Sequence, residues 1–334
     1  MEFFQILWYA LMGVLLAGFF VCSGFDFGIG MLSIGFSDKR KRDNAMAEIA
    51  PFWDGNQVWL IVAGGALFAA FPLAYSLILA NLYIPVILLL ALLIFRVVAI
   101  EFFLALNGEK WRAFWIWVVA LSSIGAMTLV GIALGALCGG EVLLKSDGGW
   151  TENFLRIFTP LAAGAAVLCV VFSLAHGSVY LAVKNSSSED FRRLASRWLA
   201  ALAVAYFAYL LLFFFNGKTA EIPRMFTLAV FVLAYMPVRF AMRSIKTGKL
   251  KTAFAMTSLF AVLAVCAHCM GAYPYIVFPS QTSPGVDIFS ASSSLLTLKI
   301  MALVALIGVP LAIGYFAYSH AVFSKGGNPP DTGY

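Results

Sequence analysis

About nine apolar runs, most of them twenty residues or more, follow one another along this chain with only short polar connections between them. A bilayer core about 30 Å thick is crossed by roughly 20 apolar residues in helical form. Within it only helices and closed barrels satisfy their own backbone groups. The runs fall at about 6–35, 50–72, 75–102, 114–138, 157–183, 195–216, 225–242, 252–277 and 295–323 and predict an all-α polytopic membrane protein. Of the 334 residues 62% are hydrophobic and only 11% charged, against roughly 25% charged in a soluble domain. No large soluble domain fits, and 1–334 reads as one integral membrane unit.

The connections alternate in charge. One set carries Lys39 to Arg42, then Lys110 and Arg112, then Lys184, Arg192, Arg193 and Arg197, then Arg243, Lys246, Lys249 and Lys251, with Lys325 in the tail. The other set carries only Lys145, Arg156, Lys218 and Arg224, while Arg96, Arg239 and Lys299 sit in or at spans. Basic loops stay in the cytoplasm, so the N-terminus is expected outside and the C-terminus inside. The net charge of +6 is accounted for by this bias and calls for no nucleic acid partner. The first run has no basic segment before it and no small-residue cleavage signal, so it is expected to remain as a span. Runs one and two, and again five and six, share a polar Gly-containing end followed by a basic connection. This weak repeat suggests a first helix bundle over 1–140, a second over 150–280, and a ninth helix over 290–325: two four-helix bundles plus one.

The five cysteines lie in or at the end of spans and do not form a disulfide framework. Cys266-Ala-His-Cys269 has the spacing of a metal pair but lies in an apolar helix without a second cluster, so buried apolar cysteines are the better reading. Bis-histidine haem needs two histidines at one depth. His176, His268 and His320 lie at different depths, which argues against a haem held by this chain. Asp287 reads as a capped loop end, and Tyr273 and Tyr275 as part of an interfacial aromatic belt.

Ionisable groups inside spans are costly and mark functional positions by default. Counted at about 1.5 Å per residue, Asp26, Asp54, Arg96, Glu101 and His176 share one slab toward the cytoplasm. Asp54 opens the second span in Pro51-Phe52-Trp53-Asp54-Gly55-Asn56-Gln57, with Trp53, Asn56 and Gln57 forming a polar mouth. Two readings stand together. The acids and the histidine could form a hydrated proton path, with Asp54 its strongest member, or Arg96 could pair with Asp26 or Asp54 and lock helices. Glu101 also suits a solvated helix end, and His176 a hydrogen-bonded helix contact. The glycines around Asp26 and Asp54 suit close helix packing.

These residues resemble subunit II of the cytochrome bd-type quinol oxidases. The resemblance is carried by Gly24-Phe25-Asp26-Phe27-Gly28-Ile29-Gly30, by Pro51-Phe52-Trp53-Asp54-Gly55-Asn56-Gln57-Val58-Trp59-Leu60, and by Ala63-Gly64-Gly65-Ala66-Leu67-Phe68-Ala69-Ala70-Phe71-Pro72. Phe95-Arg96, His176-Gly177, Tyr273-Pro274 and Pro279-Ser280 add to it, so it covers nearly the whole chain. It implies a subunit of a quinol:dioxygen oxidoreductase that is inactive alone, in the bacterial cytoplasmic (inner) membrane. By the same resemblance, the b- and d-type haems lie in a partner, subunit I, and this chain scaffolds it and lines a cytoplasmic proton route. Some members hold a structural quinone, and small single-helix subunits accompany some complexes. Asp54 then matches the proton-path acid with Trp53 as a gate beside it, and Asp26 and Arg96 match polar family positions. Many members carry an acid where this chain has Ser23, which puts the role of that acid here in doubt. The compact loops resemble the cyanide-insensitive branch.

A second class, a proton-coupled secondary transporter, also uses buried Asp and Arg on a repeat. Its binding site belongs at the midplane between broken helices, whereas these acids gather toward the cytoplasmic third.

Overall fold

The computed structural model describes residues 1–105, 108–140, 155–220, 224–279 and 285–323. Lys145, Ser280 and Lys325 lie outside the described residues, as does the His320 side chain. In chain order the helices are α1 (Glu2–Leu32), α2 (Lys39–Ile49), α3 (Trp53–Ala70), α4 (Pro72–Asn81), α5 (Tyr83–Ala105) and α6 (Glu109–Gly139). They continue as α7 (Pro160–Lys184), α8 (Glu189–Asn216), α9 (Arg224–Lys246) and α10 (Leu250–Ala272), then a short hairpin, α11 (Ile288–Ala291) and α12 (Leu295–Phe323). Eight described helices are long and apolar enough to cross a membrane: α1, α5 to α10 and α12.

The expected second crossing is α3, 18 residues long. It falls short by composition because its first turns hold Asp54, Asn56 and Gln57. The expected third run at 75–102 divides. It does so at Leu82 (φ −101°, ψ 26°), between the end of α4 at Asn81 and the start of α5 at Tyr83, while Phe71, at φ −133° and ψ 63°, separates α3 from α4, which Pro72 opens. A residue before proline is driven from helical angles, and proline is favoured at a helix's first position. α4 therefore serves as a ten-residue connector and α5 as the crossing.

α1 is the central element and packs against α3, α6, α7, α10 and α12. From Ser23 to Leu32 every residue of it is buried. Its closest approach is to α7, where Gly28 faces Gly177. A Cβ on Gly28 would run into the Ser173 carbonyl, and one on Gly177 would lie 2.7 Å from the Ile29 nitrogen. α6 meets α7 in the same manner: Cβ atoms on Gly131 and Gly135 would each lie 2.5 Å from a Cα, of Ala166 and Ala162 respectively. Where lipid and protein interiors are equally apolar, such small-residue seams supply the packing that drives helices together. α7 itself starts with Thr159 accepting from the Ala162 amide at 3.1 Å and Pro160 at its first position.

On the side of the basic loops, α2 lies across the bundle and buries Ala45, Met46 and Ile49. Three ion pairs fasten it: Lys41 to Asp190 on α8 (2.7 Å), Asp43 to Arg112 on α6 (3.1 Å) and Glu48 to Lys184 on α7 (3.1 Å). At the opposite end, strands β1 (Tyr275–Val277) and β2 (Val286–Asp287) pair antiparallel. The expected eighth run therefore ends as helix at Ala272, with its last residues in β1. Asp287 accepts from the amides of Phe289 (2.7 Å) and Ser290 (2.8 Å), the expected cap. Ser293 donates its amide to the Ala70 carbonyl at 2.9 Å and its hydroxyl to Ala69 at 2.6 Å, which completes the end of α3.

The substitution Gly28→Ala should destabilise the assembled protein by about 1–3 kcal/mol, the cost of overpacking a tight core, and lower its thermal unfolding midpoint. Gly64→Ala, where an added Cβ meets nothing within 4 Å, should leave the midpoint unchanged or slightly raised.

Candidate functional site

α1 carries Asp26 into a fully buried position, and α5 brings Arg96 to meet it with a 3.0 Å bond from Nη2 to Oδ1. α3 supplies Asn56, whose Nδ2 donates to Asp26 Oδ2 at 2.8 Å. α6 supplies Ser123, whose hydroxyl accepts from Arg96 Nε at 3.1 Å. The guanidinium carbon stands 4.1 Å from the centre of the Phe27 ring, a cation–π contact that gains strength away from water. Ser23 donates to the Asn56 carbonyl at 2.8 Å and so joins α1 to α3 as well. Both charges are 0% exposed. Such a pair is tolerable in an apolar interior only when hydrogen bonds surround it. Arg96 Nη1, Asn56 Oδ1 and Gln57 Nε2 are buried without a protein partner among the described residues.

Of the positions singled out from sequence, Asp26 and Arg96 are in contact, and the ion-pair reading describes how they are placed. Asp54 does not join them. It is exposed on the first turn of α3, two residues before Asn56 and so nearly opposite it around the helix. Trp53 beside it is half-buried, and Glu101 is exposed on α5. His176 is a helix contact: its Nε2 donates to the Val21 carbonyl at 3.1 Å and its Nδ1 lies 2.7 Å from Thr257 Oγ1. Its ring stacks on Phe254 at 4.5 Å. Asn56 as the second partner of Asp26, and Ser123 as the partner of Arg96, were not foreseen. Asn56 stood in the polar mouth and signalled polarity without direction, while a serine in an apolar helix carries no signal at all.

The described histidines do not fit haem ligation. Both nitrogens of His176 are engaged as above. His268 donates from Nδ1 to the Ala264 carbonyl at 2.7 Å, and its Nε2 receives the Tyr209 hydroxyl at 2.6 Å. Among the described residues no three His, Cys, Asp or Glu gather as a metal set, and Cys266 and Cys269 are free thiols. A second feature is an apolar cavity of about 740 Å³ between α1, α3, α5 and α10, walled in part by Leu60, Phe68, Leu93, Phe260, His268 and Cys269.

Fold and site together define a multi-pass helical membrane subunit whose interior is organised by a helix-bridging ion pair. Residues 4–323 match the family described as "Cytochrome bd terminal oxidase subunit II", and the chain belongs to that family. It is 30% identical to the "Cytochrome bd-I ubiquinol oxidase subunit 2" of Escherichia coli (strain K12), over 96% of this chain and 94% of that protein. It is likewise 30% identical to the "Cytochrome bd ubiquinol oxidase subunit 2" of Bacillus subtilis (strain 168), over 96% and 95% of the two chains. Its fold is that of a chain in the bd oxidase structure from Geobacillus thermodenitrificans, with a TM-score of 0.81, 16% identity, and 96% and 98% of the two chains covered. Family membership decides between an oxidase subunit and a transporter in favour of the first.

Replacing Arg96 with Leu leaves the Asp26 carboxylate buried without its counter-charge and should cost about 3–5 kcal/mol. The double variant Asp26→Leu/Arg96→Met should be less damaging than either single change. Thermal unfolding of the purified complex, with haem content recorded alongside, measures both.

Proposed function

We propose that the chain works as the scaffold and proton-supplying subunit of a quinol:dioxygen oxidoreductase of the bacterial inner membrane. The b- and d-type haems, and with them the redox chemistry, belong to the partner subunit I. The relatives named as ubiquinol oxidase subunits support this reading, as do described histidines whose ring nitrogens are already engaged.

The observation that carries the proton role is the contrast between two aspartates. Asp26 is clamped by Arg96 and Asn56. Asp54 is exposed at the start of α3 and makes no ion pair among the described residues. A group that relays protons must exchange them, so the free carboxylate suits transfer and the clamped one suits architecture. Trp53 stands beside Asp54 as the gate. Glu101, exposed on α5, is a second acid at the same side. The unpartnered atoms of Asn56, Gln57 and Arg96 supply a polar margin of the kind that holds buried water.

In this reading the repeat seen in the sequence groups α1, α3, α5 and α6 as a first bundle and α7 to α10 as a second, with α12 outside both and α7 packed closely on α1 and α6. The apolar cavity suits the isoprenoid tail of a structural quinone, with Tyr9 and the Tyr209–His268 pair as its polar margin. Single-helix accessory subunits and lipids complete the assembly.

Asp54→Asn in the assembled complex should slow oxygen consumption with quinol several-fold while leaving the haem spectrum intact. Turnover equal to the parent protein would remove Asp54 from the path. Loss of the haem bands would assign it to assembly.

A further inference from the structure

On the side of the basic loops the chain leaves α1 through a short 3-10 turn, Ser33–Gly35, and Phe36 before entering α2. Between this turn, α2 and the start of α8 lies a cleft of about 270 Å³ lined by Gly35, Phe36, Lys41, Asp190, Arg193 and Arg197, among others. A Cβ added to Gly35 would meet nothing within 4 Å, so this wall is open. Three cations face Asp190, with Asp38 also acting on Lys41. Asp190 is taken by Lys41 at 2.7 Å and more loosely by Arg193 at 3.4 Å. Arg197 makes no ion pair among the described residues. The cleft thus keeps positive charge that the protein does not neutralise.

Its position along α8 says what could neutralise it. Arg197 is the last charged residue before the uncharged run 198–215, so it stands where the helix enters the bilayer. Arg193 lies one turn closer to the aqueous side, about 6 Å along the axis, on the same exposed face. The two guanidinium groups therefore straddle the level of lipid headgroups. The remaining walls are apolar: Phe36 and Phe191 meet edge to face at 5.8 Å, and Leu194 completes the lining. Ile34 is exposed just beside them. Deeper than Arg197 the exposed side of α8 continues apolar through Val204 and Phe207, so a cationic cleft leading onto an apolar helix face fits a ligand that is anionic at one end and hydrocarbon at the other.

The geometry points to a binding site for the phosphate headgroup of an anionic phospholipid, held by Arg193, Arg197 and Lys41, with the acyl chains running along α8 past Val204 and Phe207. Arginine suits phosphate through paired N–H donors, and a basic juxtamembrane cluster is attracted to anionic lipid. A free phosphate shares the headgroup chemistry but gains nothing from the apolar face of α8 beyond Arg197.

The test is native mass spectrometry of the intact oxidase complex in nonionic detergent, titrated with phosphatidylglycerol, phosphatidylcholine or inorganic phosphate. The parent complex should retain phosphatidylglycerol in preference to phosphatidylcholine. The variant Arg193→Gln/Arg197→Gln should lose about thirtyfold in that retention, and Arg197→Gln alone about fivefold. Lys249→Gln/Lys251→Gln removes the same charge from the start of α10 and the residue before it and should retain the lipid as the parent does. Equal retention of the two lipids would overturn the site, as would unchanged retention in the arginine variants. An equal loss in the lysine variant would show a diffuse surface field instead. Displacement of phosphatidylglycerol by an equimolar amount of inorganic phosphate would assign the cleft to a soluble anion.

Discussion

Four helices meet at one buried carboxylate. Asp26 on α1 takes Arg96 from α5 and Asn56 from α3, and Arg96 in turn holds Ser123 on α6. Within an apolar interior an unmatched charge costs several kcal/mol, so these helices cannot slide or rotate against one another without exposing that cost. α1 is fixed in depth and in rotation by the cluster. Its opposite face then presents Gly28 to Gly177 on α7 at backbone contact. Polar bonding on one side and glycine packing on the other make α1 the axle about which the remaining helices are placed.

The same side-chain type serves two purposes at opposite ends of exposure. Asp26 is fully buried with its oxygens held by Arg96 and Asn56, which makes it a fixed joint. Asp54 is a few residues from the contact point on α3 but faces away from it. An alternation of two residues on a helix separates faces by about 200°, so Asn56 can bind inward while Asp54 looks outward. One short motif thereby fastens the helix and presents a free acid.

Much of this was legible before any coordinates. Run length and the charge of the connections determine the helical membrane class, because the bilayer leaves little choice. Asp26 and Arg96 were visible as costly residues, and depth counting brought them to one level, although whether they touched depended on helix rotation. That rotation is set by long-range packing at Gly28 and Gly177, which residue spacing does not encode. The break after the second run was written in Phe71-Pro72, but the division of the third at Leu82 was not, because a hydrophobic stretch masks a break when both sides of it are apolar. Ser123 and the cap from Ser293 were invisible: a lone hydroxyl in an apolar segment looks the same with a partner or without one.

The cap on α3 bears on how the protein is made. α3 has 18 residues, and its first turns are polar. The carbonyls at its far end are completed by Ser293, more than two hundred residues later in the chain. During synthesis this segment emerges somewhat before Arg96, which anchors the cluster it joins, and long before the serine that finishes it. The last of the contacts that seat it can therefore form only when the chain just before α12 has been made. Until then the insertion machinery, or neighbouring helices, must shelter a helix that the lipid alone would not hold.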